Sequence, residues 1–244
     1  IWCLSMLINM DVKSLEVCVA ADMAKDKIMI QEITERQDMH KNNQDALGLP
    51  SRLIAKVFIF RLLFGGSAYS YANDLDFAEV GYSEKQWQEV IDSFYKKYSS
   101  IASWHKRIID EVMRTGKLVS PLNGRYFPFK PDRNSRGELK WPITQIKNYL
   151  IQAGGADLVT LSRLRAAQLL AESGLEAKLI STVHDSIVAS CPSKNTYEVG
   201  KILLRSVEEL PQMCKKVWNY DLAVPMTAEV QFGSNKFEMQ DLKI

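Results

Sequence analysis

Cysteine is scarce in this sequence, and its few residues are scattered. Four cysteines occur among 244 residues, and no two of them have the C-x-x-C spacing of a paired-cysteine site. Isolated cysteines of this kind are typical of reduced, mostly buried thiols. The sequence therefore favours an intracellular protein.

Strong net charge and long apolar runs are also missing. A formal net charge of +2 is too small to indicate nucleic-acid binding by the whole chain, so only local patches can argue for it. No apolar run is long enough to span a bilayer, so no membrane partner is expected. The apolar residues 1–10 lack a basic leader, which favours a core strand over a signal peptide.

One predicted helix carries a stripe of two cations followed by two aromatic rings. Arg52, Lys56, Phe60 and Phe64 recur every four residues, a step that drifts by about 40° around a helix. Gly65 marks the end of this helix. The stripe suits a ligand with an anionic tail and a flat base, such as a nucleoside triphosphate. On spacing alone, an amphipathic core helix with solvent-reaching cations is the more common explanation.

Two aspartates lie beside apolar segments. Asp11 follows residues 1–10, whose pattern predicts a strand buried on both faces. Asp185 lies between two apolar runs in residues 177–191, which predict a strand, a tight turn and a second strand. Without further information, Asp11 suits a helix N-cap and Asp185 suits a turn former.

A hairpin signal precedes a stretch of local positive charge. Asn123 and Gly124 predict a turn between two β-rich runs. Residues 125–147 contain six Arg or Lys and two acidic residues, which suits either a phosphate-binding patch or a solvated loop. Asn148 and Gln152 follow on one predicted helix face, where their amides could contact base edges.

The remaining periodicity predicts a mainly helical chain with a closing strand. We expect helices over residues 17–36, 83–98, 101–115, 157–172 and 196–218, a loop over 42–51 and a strand over 224–231. A capping box of Ser83 and Gln86 begins the second of these helices.

Together these motifs resemble those of family A DNA polymerases, the group of bacterial DNA polymerase I and many phage replicases. The resemblance spans nearly the whole chain and keeps the family's order. The matching segments are Asp-x-x-x-x-Glu at Asp11 and Glu16, the fingers-helix motif at Arg52, Lys56, Phe60 and Phe64, Asn-x-x-x-Gln at Asn148 and Gln152, and His-Asp at His184 and Asp185.

The resemblance implies an α+β fold of the right-hand polymerase type. An antiparallel palm sheet would carry an inserted helical fingers subdomain, without a thumb. The expected regions are palm over 1–40, fingers over 41–120 and palm again over 121–244. The chain is expected to be part of a longer polymerase.

The implied activity is DNA-directed DNA synthesis in replication or repair. Two Mg²⁺ ions, held by Asp11 and Asp185, would support transfer of deoxynucleoside triphosphates to a primer 3′-hydroxyl. The expected nucleotide-binding residues are Glu16, which excludes a ribose 2′-hydroxyl, with His40, Arg52, Lys56, Phe60 and Phe64. The expected contacts to primer–template DNA are Arg125, Asn148, Gln152 and His184. The resemblance also implies a location in the bacterial cytoplasm and possibly a phage origin, and it leaves any processivity factor unidentified.

Three departures from the family pattern leave alternatives open. Ser186 replaces the usual Glu and cannot supply a carboxylate, Thr144 replaces a frequent Arg, and Phe64 replaces a common Tyr. A catalytically silent or incomplete DNA-binding fragment is one alternative. A single-subunit RNA polymerase is another, although Glu16 argues against it.

Overall fold

The computed structural model describes residues 5–133 and 137–244. Contacts divide the chain into two compact units, one formed by the residues through Leu15 with Gly154–Ile244 and the other by Glu16–Ala153. We call them the sheet unit and the helical unit. This division rests on backbone contacts, so the palm and fingers boundaries given above stay a prediction.

The elements of the described residues are numbered in chain order. The strands are β1 Ser5–Val12, β2 Lys117–Val119, β3 Tyr126–Pro128, β4 Asp132–Arg133, β5 Leu139–Lys140, β6 Lys178–Val183, β7 Ser186–Pro192, β8 Ala228–Gly233 and β9 Gln240–Asp241. The α-helices are α1 Leu15–Ala24, α2 Lys27–Thr34, α3 Met39–Leu47, α4 Arg52–Leu63, α5 Ala68–Ala72, α6 Glu84–Lys97, α7 Ser99–Thr115, α8 Ile143–Ser173, α9 Thr196–Glu208 and α10 Leu210–Trp218. Helices together with antiparallel strands confirm the predicted α+β class.

An antiparallel sheet with the strand order β6-β7-β1-β8-β9 forms the sheet unit. In β1, Ile8, Met10 and Val12 are buried, whereas Asp11 is exposed. The prediction that β1 is buried on both faces is therefore wrong. Helix α9 packs against β1, β7 and β8. The β1 side chains that alternate with the buried ones are half-buried or exposed.

Helix α9 contributes a continuous apolar stripe to this core. Val199, Leu203 and Val207 are fully buried. An added Cβ at Gly200 would lie 2.4 Å from the Leu242 Cδ2, so the C-terminal segment packs closely over α9 at this position. The predicted helix over 196–218 is two helices, because the chain turns at Glu209 before α10.

An aromatic cluster organises the helical unit. Phe58 of α4, Tyr71 of α5, Trp87 and Phe94 of α6 and Phe77 are buried, and the neighbouring rings have centroids 5.0–6.0 Å apart. Aromatic pairs at these distances stabilise a core beyond their buried area. The cluster therefore fixes the inner face of α4, the helix that carries the predicted nucleotide-binding stripe.

Several local predictions are confirmed. Ser83 and Gln86 form the expected capping box of α6, and β2 and β3 form the expected hairpin with Gly124 at φ 75°. Helix α8 is continuous across the two segments expected for it, and the closing strand is β8, a few residues later than predicted.

Two predictions about the start of the helical unit are wrong. The helix over 17–36 is divided into α1 and α2, because Lys25 has a left-handed backbone and Asp26 caps α2. The loop over 42–51 is largely α3, which ends only at Gly48 with φ 66°.

Buried thiols match the expectation for cysteine. Cys18, Cys191 and Cys214 are buried, whereas Cys3 lies outside the described residues. Within residues 5–133 and 137–244, every helix is too short or too polar to cross a lipid bilayer.

Candidate active site

Two aspartates from distant parts of the sequence lie at the same end of the sheet in the sheet unit. Asp11 is in β1, and Asp185 is in the turn between β6 and β7. Pairing of β1 with β7 puts Asp11 opposite Ser186, and the Val12 amide donates a hydrogen bond to the Asp185 carbonyl over 3.1 Å. The strand register thus brings both carboxylate-bearing residues to one end of the sheet.

The turn that presents Asp185 has a specific backbone geometry. Val183 pairs with Ser186, so only His184 and Asp185 connect the two strands. His184 has φ 52°, in the left-handed region that tight hairpin turns use. His184 is exposed and Asp185 is half-buried. The predicted strand, tight turn and strand are confirmed, and a DNA contact by His184 stays a prediction.

The donor set at this end of the sheet suits a magnesium ion. Carboxylate oxygens are hard donors, and Mg²⁺ is commonly held by one or two carboxylates together with substrate phosphates. Ser186 stands where the resemblance predicts a glutamate, and its hydroxyl donates a hydrogen bond to the Val183 carbonyl over 3.0 Å. Among the residues that the structure describes, no cluster of three or more His, Cys, Asp or Glu could hold a metal ion. The assignment of Asp11 and Asp185 as metal ligands stays a prediction.

An ion pair beside Asp11 was not predicted from the sequence. Glu229 of β8 is the cross-strand partner of Asp11, and its carboxylate lies 3.1 Å from the Lys13 ammonium. Directly opposite residues of antiparallel strands share a face of the sheet. Lys13 lies two residues after Asp11 and could have been noticed, but Glu229 can be placed only once the register is known.

In the helical unit, α4 presents the predicted stripe. The Ser51 hydroxyl caps the helix by accepting a hydrogen bond from the Ile54 amide over 3.1 Å. Arg52 and Lys56 are exposed, whereas Phe60 and Phe64 are half-buried. Cations are thus available at the N-terminal end of the helix and ring faces at its other end.

A carboxylate already occupies the first cation of the stripe. Arg52 Nε donates to Asp38 Oδ2 over 2.7 Å, and Asp38 Oδ1 accepts from the Lys41 amide over 3.0 Å as the N-cap of α3. The hydrogen bond from Arg52, and then that from the Lys41 amide, holds the pKa of Asp38 below its ordinary value. This pairing was not predicted, although an aspartate at a helix N-cap is a visible signal.

His40 lies against the same stripe. Its ring centroid is 6.0 Å from that of Phe60, and the Lys56 ammonium is 5.9 Å from the Phe60 centroid. Burial, followed by the charges of Arg52 and Lys56, lowers the pKa of His40. Its buried Nδ1 has no hydrogen-bond partner within the described part of the chain. The structure therefore places the buried His40 beside Phe60, with Arg52 and Lys56 near enough for their charges to act on its imidazole.

Glu16 and Phe64 occupy element ends. Glu16 lies half-buried in the first turn of α1. Phe64 is the C-cap residue of α4, and its amide donates to the Phe60 carbonyl over 3.2 Å. Their predicted roles against the 2′-hydroxyl and the base pair stay predictions.

The predicted DNA-binding residues of the helical unit lie on a hairpin and on α8. Arg125 is exposed, with its guanidinium 5.1 Å from the Phe127 ring centroid. Gln152 is exposed, whereas Asn148 is half-buried and its Oδ1 has no partner among the described residues. Burial lowers the pKa of Lys147, so this residue is not a solvated member of the basic stretch. Arg136, from the same stretch, lies outside the described residues.

Comparison with known sequences supports the family resemblance. The model of DNA polymerase family A matches residues 4–238. DNA polymerase I of Aquifex aeolicus is 29% identical over 211 residues, which are 81% of this chain and 34% of that protein. The DNA polymerase of Bacillus phage SP01 is 26% identical over 209 residues, covering 81% of this chain and 22% of that protein. The chain thus spans about a third or less of the length of these relatives.

Comparison with solved structures supports the fold. The structure described as the POL domain of Pol1 from M. smegmatis in complex with DNA primer-template and dNTP matches with a TM-score of 0.78 and 17% identity. The match covers 96% of this chain and 40% of that one.

Proposed function

Since the chain belongs to DNA polymerase family A, we propose that it is the polymerising part of a DNA-directed DNA polymerase. It would add deoxynucleoside triphosphates to a primer 3′-hydroxyl under direction of a DNA template, during replication or repair. The observation that supports this proposal is the position of Asp11 in β1 beside the β6–β7 turn that carries Asp185. Bacterial and phage relatives support a bacterial cytoplasm as its location.

Asp11 and Asp185 would hold the magnesium ions of this reaction. When bound, a pair of Mg²⁺ ions activates the primer hydroxyl and stabilises the leaving pyrophosphate. The protein would present two carboxylates, one from β1 and one from the turn before β7. Ser186 has no carboxylate, so it would not add a third ligand. The neighbouring carboxylate of Glu229 pairs with Lys13 and is not part of this proposal.

The surface of α3 and α4 would bind the nucleotide. Arg52 would exchange the Asp38 carboxylate for phosphate oxygens, which a guanidinium binds in a matching fork geometry. Lys56 would add a point charge, and His40 would face the same phosphates. Phe60 offers a half-buried ring face to the sugar and base.

The remaining residues would select the sugar and contact DNA. Glu16 would exclude a ribose 2′-hydroxyl, and Phe64 would shape the pocket of the new base pair. Arg125, Gln152 and Asn148 would contact the primer–template, with the unpartnered Asn148 Oδ1 available to accept a hydrogen bond. His184 would approach DNA from the turn beside Asp185.

Primer extension tests the proposal. The 244-residue chain is incubated with primed DNA, Mg²⁺ and either deoxy- or ribonucleoside triphosphates, beside its Asp185→Asn variant. We expect template-directed extension with deoxynucleotides, little extension with ribonucleotides, and loss of at least about a hundredfold in the variant, because asparagine keeps the shape but removes the charge.

Other outcomes separate the alternatives. Efficient ribonucleotide extension would support an RNA polymerase. DNA binding without extension, by this chain and by the longer gene product, would support a silent DNA-binding protein and contradict the proposal.

A further inference from the structure

The outer face of the β2–β3 hairpin carries an exposed aromatic ring that the proposed chemistry does not use. Tyr126 is 65% exposed, and its cross-strand partner Val119 is 42% exposed. The Lys117 ammonium lies 6.0 Å from the Tyr126 ring centroid. Because residues two apart in a strand share a face, Lys117, Val119 and Tyr126 form one surface. We call it the hairpin face.

The opposite side of the hairpin is anchored. Leu118 is buried, and the Phe127 and Phe129 rings contact Tyr149 of α8 with centroids 5.7 and 5.2 Å apart. Tyr126 is thus held on a backbone that packs against the helix carrying Asn148. The hairpin face therefore lies on the outer side of a hairpin that is anchored to α8.

Proteins that bind single-stranded nucleic acids commonly combine exposed aromatic rings with positively charged side chains. A base stacks on an aromatic side chain, while a lysine or arginine binds the adjoining phosphate. Bases inside a duplex are already stacked on their neighbours, so only an unpaired base can use the ring of Tyr126. The hairpin face carries both features, the ring of Tyr126 and the ammonium of Lys117.

We propose that Tyr126 is a stacking platform for an unpaired base of the template strand. Lys117 would contact the phosphate next to that base. The inference deepens the proposed function and rests on it, because the DNA that supplies the unpaired base is the polymerase template.

Binding of two DNA molecules by the 244-residue chain tests the inference. One is a labelled primer–template with a single-stranded 5′ template extension, and the other is a blunt duplex of the same paired length. We expect Tyr126→Ala to weaken binding of the first by about 5- to 100-fold and to leave the second within about twofold. Tyr126→Phe should bind both as the parent does, because it keeps the ring.

The chain offers a matched control for an exposed tyrosine under a lysine. Tyr197 of α9 is 48% exposed, and the Lys201 ammonium is 4.9 Å from its ring centroid. Tyr197→Ala should leave both affinities unchanged.

A 2-aminopurine at the first unpaired template position gives a second readout. Its fluorescence should be quenched by the parent and by Tyr126→Phe, and much less by Tyr126→Ala.

The outcomes distinguish this inference from the function on which it rests. If the parent binds both DNA molecules and Tyr126→Ala changes neither affinity, or weakens both equally, the stacking platform is overturned while the polymerase proposal stands. If the parent binds neither molecule, the inference is overturned together with the proposed DNA-directed activity. Equal thermal midpoints for parent and variants show that folding is unchanged.

Discussion

Arg52, the first cation of the proposed nucleotide-binding stripe, forms an ion pair with Asp38. Arg52 is bound to Asp38, whose pKa is lowered mainly by that hydrogen bond. A lowered carboxyl pKa means that the pair is fully present above the ordinary pKa of aspartate and is lost as pH falls through the lowered one. Under the proposed function, an incoming triphosphate would therefore compete with Asp38 for Arg52 at neutral pH.

Removing the Asp38 charge should make Arg52 easier to engage. We predict that Asp38→Asn tightens deoxynucleotide binding by about two- to fivefold, since an exposed ion pair is worth up to about 1 kcal/mol and asparagine still caps α3. The dissociation constant of the nucleotide, from pre-steady-state extension, measures this effect.

The matched control for this change is Asp45→Asn. Asp45 is an exposed carboxylate of α3, 2.8 Å from the Lys41 ammonium, and its loss should leave nucleotide binding unchanged. Weaker nucleotide binding by Asp38→Asn would contradict the competition and would assign Asp38 the task of orienting Arg52.

At the scale of one element, the end of α4 depends on the backbone freedom of Gly65. Its φ is 94°, and an added Cβ would lie 3.0 Å from the Thr144 Cα at the start of α8. Side chains rarely adopt such a backbone, and a neighbouring backbone atom cannot move aside as a flexible side chain can.

Gly65→Ala should therefore destabilise the chain by about 2–3 kcal/mol. Gly81→Ala provides the comparison, because Gly81 also has a positive φ of 66° but has no atom within 4 Å of the added Cβ. That variant should cost only about 1 kcal/mol. Urea unfolding measures both values, and equal losses would show that the contact with α8 is unimportant.

Secondary structure could be predicted from the sequence where the stabilising residues lie within the same segment. Helix α4 was predictable because its apolar faces, its stripe and its terminal glycine all lie within one segment. Helix α3 was mistaken for a loop because its sequence is polar. Its support is distant, since the Asn43 amide is buried and donates to the Tyr98 hydroxyl over 2.8 Å. A bond between residues so far apart in sequence leaves no local signal.

At the scale of the whole molecule, the same limit applies to the candidate site. The motifs containing Asp11 and Asp185 could be recognised separately, and the resemblance supplied their expected partnership. The pairing of Lys13 with Glu229 could not be predicted, because it depends on the register between β1 and β8. Periodicity gives the faces of a strand, but it does not give the partner strand or the alignment.

The measurement that tests the central claim most directly is titration of the chain with Mn²⁺, followed by electron paramagnetic resonance. We predict that Asp11→Asn and Asp185→Asn each weaken metal binding by at least about tenfold, because each removes one of two carboxylates. Asp241→Asn, which removes an exposed carboxylate from β9 of the same sheet, should have no effect. Metal binding that is indifferent to either Asp11 or Asp185 would contradict the account.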